Sequence, residues 1–351
     1  MYNKQKILAI LLGLIIVFVI LAGCTQSKAP VGESKVRAEE TGREKIRIAQ
    51  QFGLVYAPLM IAQEKGFFEK YGLEVEWKRF GSGGAAREAL ASGELDAAFM
   101  GIPPFLIGWD KGVPAKVAVG YVVSPVSLVT YKSEIKSLKD FKSGDKIALP
   151  SPGSMQHILL AMAAERELGN ANAFDDMLVA LPHPDGCSAM LAKKDITAHF
   201  TTPPYLFEEL SQQGYKEVLT GAEAFGQEFG FNVGLVTKEY HDKHPRGYAS
   251  FVMGVSEAIT WINHHKEEAA EILAPEFNMP KEKLYKYMTW PGLNYTTAPY
   301  GLIGFAEFMK KAGYISKLPQ DISEIAWENI SAFIGMREGS PSMMEQLQQR
   351  K

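Results

Sequence analysis

The chain has 351 residues, of which 46% are hydrophobic and 22% are charged, and its formal net charge is −3. This length suits two domains or lobes better than one. The mildly acidic balance, without a basic stripe, argues against nucleic acid as a partner, and two cysteines are too few for a disulfide framework.

The N-terminus has the features of a secretory signal. Two lysines precede an apolar run from Ile7 to Leu21, and small residues come directly before Cys24. The run has 15 residues, fewer than the roughly 18 to 20 that a permanent membrane span needs. We therefore predict a signal peptide over residues 1–23, removed by cleavage.

The residues around the predicted cleavage point, Leu21-Ala22-Gly23-Cys24, resemble the lipobox of prokaryotic lipoproteins. The resemblance implies that Cys24 becomes the acylated N-terminus and holds the protein on the periplasmic side or outer face of the cell membrane. The alternative is a plain signal peptide with a chance cysteine. Residues 24–44 are polar and rich in Ser, Pro, Gly and charges, which predicts a flexible tether.

Beyond the tether, strand-like and helix-like segments alternate. The patterns predict strands at residues 46–49, 73–77, 97–100 and 116–121, and helices at 57–65, 85–91 and 104–111. Such alternation indicates a mainly parallel sheet covered by helices on both faces.

The same pattern then recurs along the chain. Residues 89–99 align with residues 190–200 at an offset of 101, and each copy leads into a Pro-Pro pair. The same offset places residues 46–48 on residues 147–149. Generic α/β spacing can mimic such a match, but we interpret it as two similar α/β lobes in tandem.

The C-terminal third is predicted to be helical after one more strand at residues 231–236. The helices are expected at residues 245–263, 266–276, 281–287, 302–312 and 322–333, without a further strand. We predict that they return to the first lobe, and that crossings near 122–132 and 231–238 form a hinge. Lobe I then comprises residues 45–123 and 236–335, lobe II residues 124–235, and a polar tail residues 336–351.

Three segments identify a family. "YAPLMIAQEKGFFEKYGLEVEW", "GSGGAAREALASGELDAAFMG" and "DITAHFTTPPYLFEEL" resemble the nitrate/sulfonate/taurine substrate-binding proteins (NitT/TauT, SsuA-like), which are related to the THI5-like pyrimidine binders. The resemblance covers about residues 45–333. It implies the α/β type II periplasmic-binding fold, an ABC permease with its ATPase as partners, and no catalysis. We also expect a monomer that binds a small organic ligand, without a cofactor.

A ligand is expected where parallel strands end and helices begin. Two loops, at residues 81–84 and 151–154, are rich in Gly and Ser and open helices, so free backbone N–H groups could bind carboxylate, sulfonate or phosphate oxygens. Ordinary capped turns are the alternative. The loops lack Lys and Arg, which weakens the case for nitrate. Taurine-like or larger organosulfonates and pyrimidine-type heterocycles both stay open.

The candidate ligand-binding residues lie in these strand-to-helix loops. In lobe I they are Gln51, Phe52, Tyr56, Ser82, Gly83, Gly84, Met100, Gly101 and Tyr121, and in lobe II Ser151, Gly153, Ser154, Met155, Asp185, Thr201 and Thr202. Asp185 could instead cap its helix. We predict no catalytic residue and no metal ligand: the histidines at 157, 183 and 199 lack spaced acidic or thiol partners, and Cys187 is expected to be a buried, inert thiol.

Three classes of function fit these patterns. The leading one is the solute-binding component of an ABC importer. A rival is an enzyme on the same fold, such as a THI5-like pyrimidine synthase, a chorismate-dehydratase-like protein or a sulfinate hydrolase. The third is a membrane-anchored sensor or adhesin. The predicted export favours the importer component over the enzymes, since those act inside the cell.

Overall fold

A computed structural model describes residues 42–330 of the protein. The predicted signal peptide, Cys24, nearly all of the tether and the polar tail lie outside these described residues. Within residues 42–330, no helix combines the length and the apolar character that a bilayer crossing requires.

Eleven strands and thirteen α-helices make up the described part of the chain. The strands are β1 (Glu44–Gln50), β2 (Leu73–Arg79), β3 (Ala97–Gly101), β4 (Ala115–Val123), β5 (Ser127–Thr130), β6 (Ile147–Leu149), β7 (Leu178–Ala180), β8 (Ala198–Thr201), β9 (Lys216–Thr220), β10 (Asn232–Thr237) and β11 (Asn294–Tyr295). The helices are α1 (Ala57–Lys65), α2 (Phe67–Lys70), α3 (Gly83–Ala91), α4 (Ile102–Asp110), α5 (Met155–Leu168), α6 (His183–Leu191), α7 (Tyr205–Leu210), α8 (Gly221–Phe225), α9 (Lys238–Lys243), α10 (Pro245–His264), α11 (Lys266–Phe277), α12 (Lys281–Met288) and α13 (Leu302–Lys311). Short 3-10 turns lie at Leu54–Tyr56, Leu138–Asp140, Asp175–Met177 and Ile322–Glu324.

The strands form two sheets with the same internal order. One sheet runs β11-β4-β10-β3-β1-β2 and the other β7-β6-β8-β5-β9. In the first sheet β1 lies between two parallel partners, β2 and β3, and in the second β6 lies between β7 and β8 in the same way. β10 and β5 run antiparallel to both of their neighbours. The sheets are therefore mixed rather than simply parallel, because each receives one strand from chain that arrives from the other sheet.

The internal repeat is present, but one of its two sequence matches is shifted. Ile48 pairs with Ala97 in the first sheet, and Ile147 pairs with Ala198 in the second. The offset of 101 therefore holds for β3 and β8, whereas β1 and β6 correspond at an offset of 99. The match of residues 46–48 to 147–149 was wrong by two residues. A shift of two leaves every side chain on the same face of its sheet, so the hydrophobic pattern could not reveal it.

The C-terminal helices agree with the predicted positions except at the end. Residues 322–327 do not form the expected helix: a 3-10 turn is followed by a bridge between Ala326 and Val117 of β4, and residues 328–330 are helical. The expectation of no further strand was also wrong, since β11 pairs with the end of β4. Two residues are too short to show a strand period. What holds β11 is Tyr295, whose buried hydroxyl donates to the carbonyl of Leu54 at 2.9 Å.

The segment after β11 lies directly on the first sheet. Gly120 of β4 donates its N–H to the carbonyl of Thr297 at 2.8 Å. A Cβ at Gly120 would lie 2.3 Å from the carbonyl carbon of Ala298, so only glycine lets the two backbones approach this closely. Helix α10 packs on the same sheet through Phe251, whose ring centroid lies 5.7 Å from that of Phe99 on β3.

We keep the division into two lobes as a proposal, with one adjusted boundary. The boundary placed between residues 235 and 236 cuts through β10, which is hydrogen-bonded to β3 and β4. We therefore assign β10 to lobe I. The two crossings then lie at residues 124–126 and 226–231, between strands or helices that belong to different sheets.

Candidate functional site

A cleft of about 430 Å³, including its open mouth, lies where strands of the two sheets end. Seven of the sequence-predicted residues line it: Gln51, Phe52, Tyr56, Gly83, Gly101, Ser154 and Met155. They lie at the ends of strands or in the segments that follow strands of both sheets, as the rule for strand ends in α/β proteins predicts. Residues from the two lobes touch here, because a Cβ at Gly101 would lie 3.2 Å from the Cβ of Met155.

Two helices from different lobes begin at the cleft. Helix α3 starts at Gly83, and the hydroxyl of Ser82 accepts a hydrogen bond from the N–H of Ala85 at 3.2 Å. Helix α5 starts at Met155, and the hydroxyl of Ser154 accepts from the N–H of His157 at 3.3 Å. The first N–H groups of a helix have no partner within it and carry partial positive charge. The cleft can therefore bind an anionic group without a cationic side chain.

Both Ser82 and Ser154 are thus helix caps at the cleft, and Ser154 also lines it. Removing such a cap typically costs about 1 kcal/mol of stability. Substitution of either serine would change folding and binding together, so neither is a clean probe of the site.

Several polar groups at or beside the cleft have no partner among the described residues. Asn232, at the start of β10, is 1% exposed and lines the cleft. Its side-chain amide lies beside the hydroxyl of Tyr56, which donates to the carbonyl of Phe99 at 3.4 Å, and neither atom of the amide makes a hydrogen bond of regular geometry. The hydroxyls of Ser151 and Thr202 are buried and equally unpaired. Ser151 lies beside the helix start at Gly84, where a Cβ would be 3.2 Å from its Oγ. Unpaired buried groups are costly, and a ligand that pairs with them recovers that cost.

The remaining walls of the cleft are apolar or aromatic. They include Phe52, Val55, Tyr56, Pro104 and Phe231. Among the residues that line the cleft there is no Lys, Arg, Asp or Glu. Arg79 lies behind the wall, 5.4 Å from the ring centroid of Phe52, and forms an ion pair with Glu276 at 2.8 Å. This lining is typical of a pocket for an organic molecule.

A chain of polar side chains leads from the cleft into the second lobe. Nε2 of Gln156 lies 3.0 Å from Nε2 of His183, and both residues line the cleft. Nδ1 of His183 lies 3.4 Å from Nε2 of His199 and 3.1 Å from the hydroxyl of Thr201. Nδ1 of His199 lies 2.6 Å from Oε1 of Glu209, and both of these side chains are fully buried.

Burial controls the charge states of the side chains in this hydrogen-bonded series. It lowers the pKa values of His183 and His199 and raises the pKa of Glu209, because each charged form would lose its hydration. It also raises the pKa of the nearby Cys187 thiol. The His199–Glu209 pair is therefore neutral as a whole at physiological pH. Among residues 42–330, no group of three or more His, Cys, Asp or Glu side chains is arranged to hold a metal ion.

Other sequence-predicted residues lie away from the cleft surface. Tyr121 is fully buried behind it: its hydroxyl accepts from the N–H of Leu59 at 2.9 Å and donates to the carbonyl of Tyr56 at 3.2 Å. Met100 faces a small apolar cavity beside Phe105, because it points to the other side of β3 from Gly101. Neither contributes a wall to the cleft.

The predicted residues of lobe II are spread around the cleft. Asp185 is exposed in the first turn of α6, whose N-cap is Pro182, so it neither lines the cleft nor caps the helix. Gly153 has a φ of +74°, and a Cβ there would lie 2.7 Å from Ile107 of lobe I. Thr201 joins the polar chain through His183. Thr202 lies under the loop at Gly53, where a Cβ would be 3.8 Å from its Oγ1.

The sequence reasoning missed Gln156, His183 and Asn232. It set His183 and His199 aside because no acidic partner is nearby in sequence, whereas Glu209 reaches His199 from α7. One signal was present: at the offset of 101, His199 takes the buried strand position that Ala98 holds in the first copy. A histidine where the repeat has alanine indicates a buried polar network.

Comparisons with known proteins agree with this geometry. The sequence matches the NMT1-like family over residues 39–275. It is 29% identical to a Bacillus subtilis protein named for binding aliphatic sulfonates, over 78% of this chain and 79% of that protein. It is 25% identical to the taurine-binding periplasmic protein of Escherichia coli, over 76% of this chain and 87% of that protein.

A solved structure supports the fold independently. The alkanesulfonate-binding protein SsuA from Xanthomonas axonopodis pv. citri, bound to MOPS, matches with a TM-score of 0.67 at 20% identity, over 81% of this chain and 98% of that one. The predicted periplasmic-binding fold and the resemblance to nitrate/sulfonate/taurine-binding proteins are both confirmed.

The neutral His199–Glu209 pair predicts how stability depends on pH. Above pH 6.5, the ordinary value for histidine, the unfolded chain has an ionised Glu209 and a neutral His199, so the folded pair holds one proton more. The free energy of unfolding should then fall by up to about 1.4 kcal/mol per pH unit until the folded pair loses its proton. Glu209→Gln should remove this part of the slope.

Urea unfolding at about pH 6.5, 7.5 and 8.5 measures the difference between the two proteins. Glu64→Gln, at an exposed position of α1, is the matched control and should keep the slope of the parent. Equal slopes for the parent and Glu209→Gln would show that Glu209 is ionised in the folded protein.

Proposed function

The chain belongs to the NMT1-like family, and from this premise we propose that it captures a small organic anion between its lobes and delivers it to an ABC permease. The main support for an anionic ligand is the pair of helix N-termini at Gly83 and Met155. Both face one cleft, whose lining contains no charged side chain. The apolar walls suit the organic part of the ligand. Relatives named for sulfonates and taurine support this class of ligand.

A pyrimidine-type heterocycle is the second candidate for the ligand. The free amide of Asn232 favours it, since one edge of such a ring can pair with both an amide donor and an amide acceptor. MOPS, which the related SsuA structure contains, joins a saturated ring to a sulfonate and is therefore an informative first probe.

Contacts across the lobes support a closing mechanism. The N–H of Leu54 donates to the carbonyl of Pro203 at 3.0 Å. Helix α7 of lobe II meets α12 of lobe I where Tyr287 donates to Glu208 at 2.8 Å. Since a ligand shifts a balance only through contacts that differ between two states, we propose that the ligand bridges the lobes and stabilises this closed arrangement.

We propose that the ligand leaves unchanged, without turnover. No carboxylate, amine or thiol lines the cleft among the described residues, and its one titratable base, His183, is held neutral by burial. Cys187 is buried, and its raised pKa disfavours the reactive thiolate.

We also propose that the protein acts outside the cytoplasm, held to the membrane through Cys24. The lipobox-like sequence Leu21-Ala22-Gly23-Cys24 supports the anchor, and the periplasmic taurine-binding relative supports the location.

Asn232 separates binding from folding. Asn232→Leu replaces an unpaired buried amide by an apolar group of similar size, so the empty protein should keep its melting temperature or gain stability. The affinity for a ligand that pairs with the amide should fall about 10- to 100-fold, equivalent to about 1–3 kcal/mol. A thermal-shift screen with MOPS, alkanesulfonates, taurine, uracil and cytosine measures both quantities.

Asn263→Leu is the opposite control. Asn263 donates to the carbonyl of Tyr295 at 2.8 Å, so its loss should lower stability and leave affinity unchanged. A bound ligand at 100 times its dissociation constant should add about 2.7 kcal/mol to the parent. If Asn232→Leu bound the ligand with unchanged affinity, the proposal that the ligand binds in this cleft would be wrong.

Trp290 should report closure. Its ring stacks on Phe207 of lobe II at 4.3 Å, so ligand binding should change its fluorescence if the contact forms on closing. We expect Trp290→Phe to lose most of the ligand-induced change, and Trp261→Phe, within lobe I against Phe67 and His265, to keep it. A full signal in Trp290→Phe would contradict closure at this contact.

The lipid anchor is tested in cells that express the full chain. Cys24→Ser should move the protein from the membrane to the soluble fraction and abolish incorporation of labelled palmitate. Cys187→Ser, at a buried position, should stay with the membrane. Membrane association of Cys24→Ser equal to that of the parent would rule out this anchor.

A further inference from the structure

The polar chain that leaves the cleft ends at a carboxyl group that has no access to solvent. Glu209 and His199 are both fully buried, and their side chains approach to 2.6 Å. Oε2 of Glu209 has no nitrogen or oxygen partner among the described residues, and the thiol of Cys187 lies beside this carboxyl.

The groups that surround this series of polar side chains supply no positive charge to balance an ionised Glu209. Helix α6 contributes the thiol of Cys187, strand β8 the hydroxyl of Thr201, and helix α7 the ring of Tyr205, which stacks on His183 at 6.1 Å. Burial raises the pKa values of Cys187 and Tyr205, so both stay neutral. An isolated carboxylate in such surroundings would be very costly, and a proton shared within the Glu209–His199 pair removes the net charge.

A neutral pair leaves a single direction for the hydrogen bonds. Whether the shared proton lies on Oε1 of Glu209 or on Nδ1 of His199, the other ring nitrogen of His199 carries a hydrogen. That Nε2–H points to Nδ1 of His183 at 3.4 Å, and the hydroxyl of Thr201 can donate to the same nitrogen at 3.1 Å. Nδ1 of His183 is then an acceptor, so the proton of this neutral ring lies on Nε2.

We propose that Glu209 is a positioning residue, which acts through His199 to keep the proton of His183 on Nε2 at the wall of the cleft. His183 Nε2–H then donates to the side-chain oxygen of Gln156, after a half-turn of the amide whose nitrogen lies 3.0 Å away. Nitrogen and oxygen of an amide exchange places in this rotation. The amide N–H of Gln156 is thereby turned away from His183 and is available to the cleft that it lines.

This arrangement defines the ligand of the proposed function more closely, and it rests on that proposal. The amide N–H of Gln156 lies beside the free N–H groups that begin α5, while His183 Nε2–H donates to the Gln156 oxygen, so this side of the cleft offers a cluster of hydrogen-bond donors. It suits a group with several acceptor oxygens, such as a sulfonate or carboxylate. If Glu209 were ionised, the hydrogen bonds from Glu209 through His199 to His183 would run in the opposite direction, and Nε2 of His183 would be an acceptor.

The position of the proton can be read directly from histidine nitrogen shifts. The full chain, labelled with ¹⁵N-histidine and free of ligand, is observed by long-range ¹H–¹⁵N correlation, and His183→Gln assigns the signal. We expect His183 in the parent to show a protonated Nε2 and an unprotonated Nδ1. The opposite pattern would overturn the proposal, and so would a doubly protonated ring at neutral pH.

Variants of Glu209 test the positioning role. A glutamine can donate to His199 or accept from it, and a leucine can do neither, so Glu209→Gln and Glu209→Leu should both move the nitrogen shifts of His183 toward the average of the two tautomers. Glu208→Gln is the matched control, since this neighbour on α7 contacts Lys283 and Tyr287 instead, and it should leave His183 unchanged. Unchanged shifts in Glu209→Gln would show that Glu209 does not hold the proton.

The outcome is independent of the ligand screen. All samples are free of ligand, so a screen without a hit would sink the proposed ligand class and leave the tautomer of His183 as found. Conversely, a sulfonate that binds to a protein with its His183 proton on Nδ1 would support the proposed function and refute the role of Glu209.

Discussion

Two strands, β10 and β5, each follow directly after the chain has crossed from the other sheet, and these crossings hold the structure together. β10 lies between β3 and β4 although the chain reaches it from the second sheet, and β5 lies between β8 and β9 although it follows β4 of the first. The first sheet is therefore complete only when the chain has crossed to the second sheet and returned. The start of β10, Asn232, pairs with the end of β3, Gly101, so the crossing delivers its first residue to the cleft. The same connections that build the two sheets thus also build the binding site.

The cleft differs from the core in how its polar groups are paired. In the core, Tyr121 and Tyr295 each hydrogen-bond to backbone groups, and their burial is compensated. At the cleft, Asn232 and Ser151 are buried without partners, and helix starts from both lobes have free N–H groups. A fold that leaves these groups unpaired in one place gives up some stability there, which a ligand of matching polarity can restore.

The sequence predicts the elements well and the site less completely. Local patterns are sufficient for helices such as α1, whose bounds at residues 57–65 agree with the prediction, because its signals are contiguous in the chain. The pairing of β1 with β3 depends on register, and a hydrophobic pattern of period two cannot detect a shift of two residues. The site depends on pairs such as His199 and Glu209, whose meeting is decided by how α7 packs on the sheet. Asn232 was missed for a related reason, since its polar side chain lies within an otherwise apolar strand and only the pairing with Gly101 places it at the cleft.

The charged side chains near the site lie beside the cleft and not in it, so the lining of the cleft is uncharged. Arg79 and Glu276 pair with each other behind Phe52, so this cation is already neutralised. The carboxyl of Glu209 lies at the other end of a hydrogen-bonded chain, where burial disfavours its ionised form. What faces a ligand is a set of dipoles: helix N–H groups, the side-chain amides of Gln51, Gln156 and Asn232, and a neutral imidazole. Fixed dipoles can hold an anion without the desolvation of an opposing ion, and such a site need not break an ion pair when the ligand departs. A receptor that must release its ligand to a permease benefits from this arrangement, because ligand exit then leaves no unpaired charge behind.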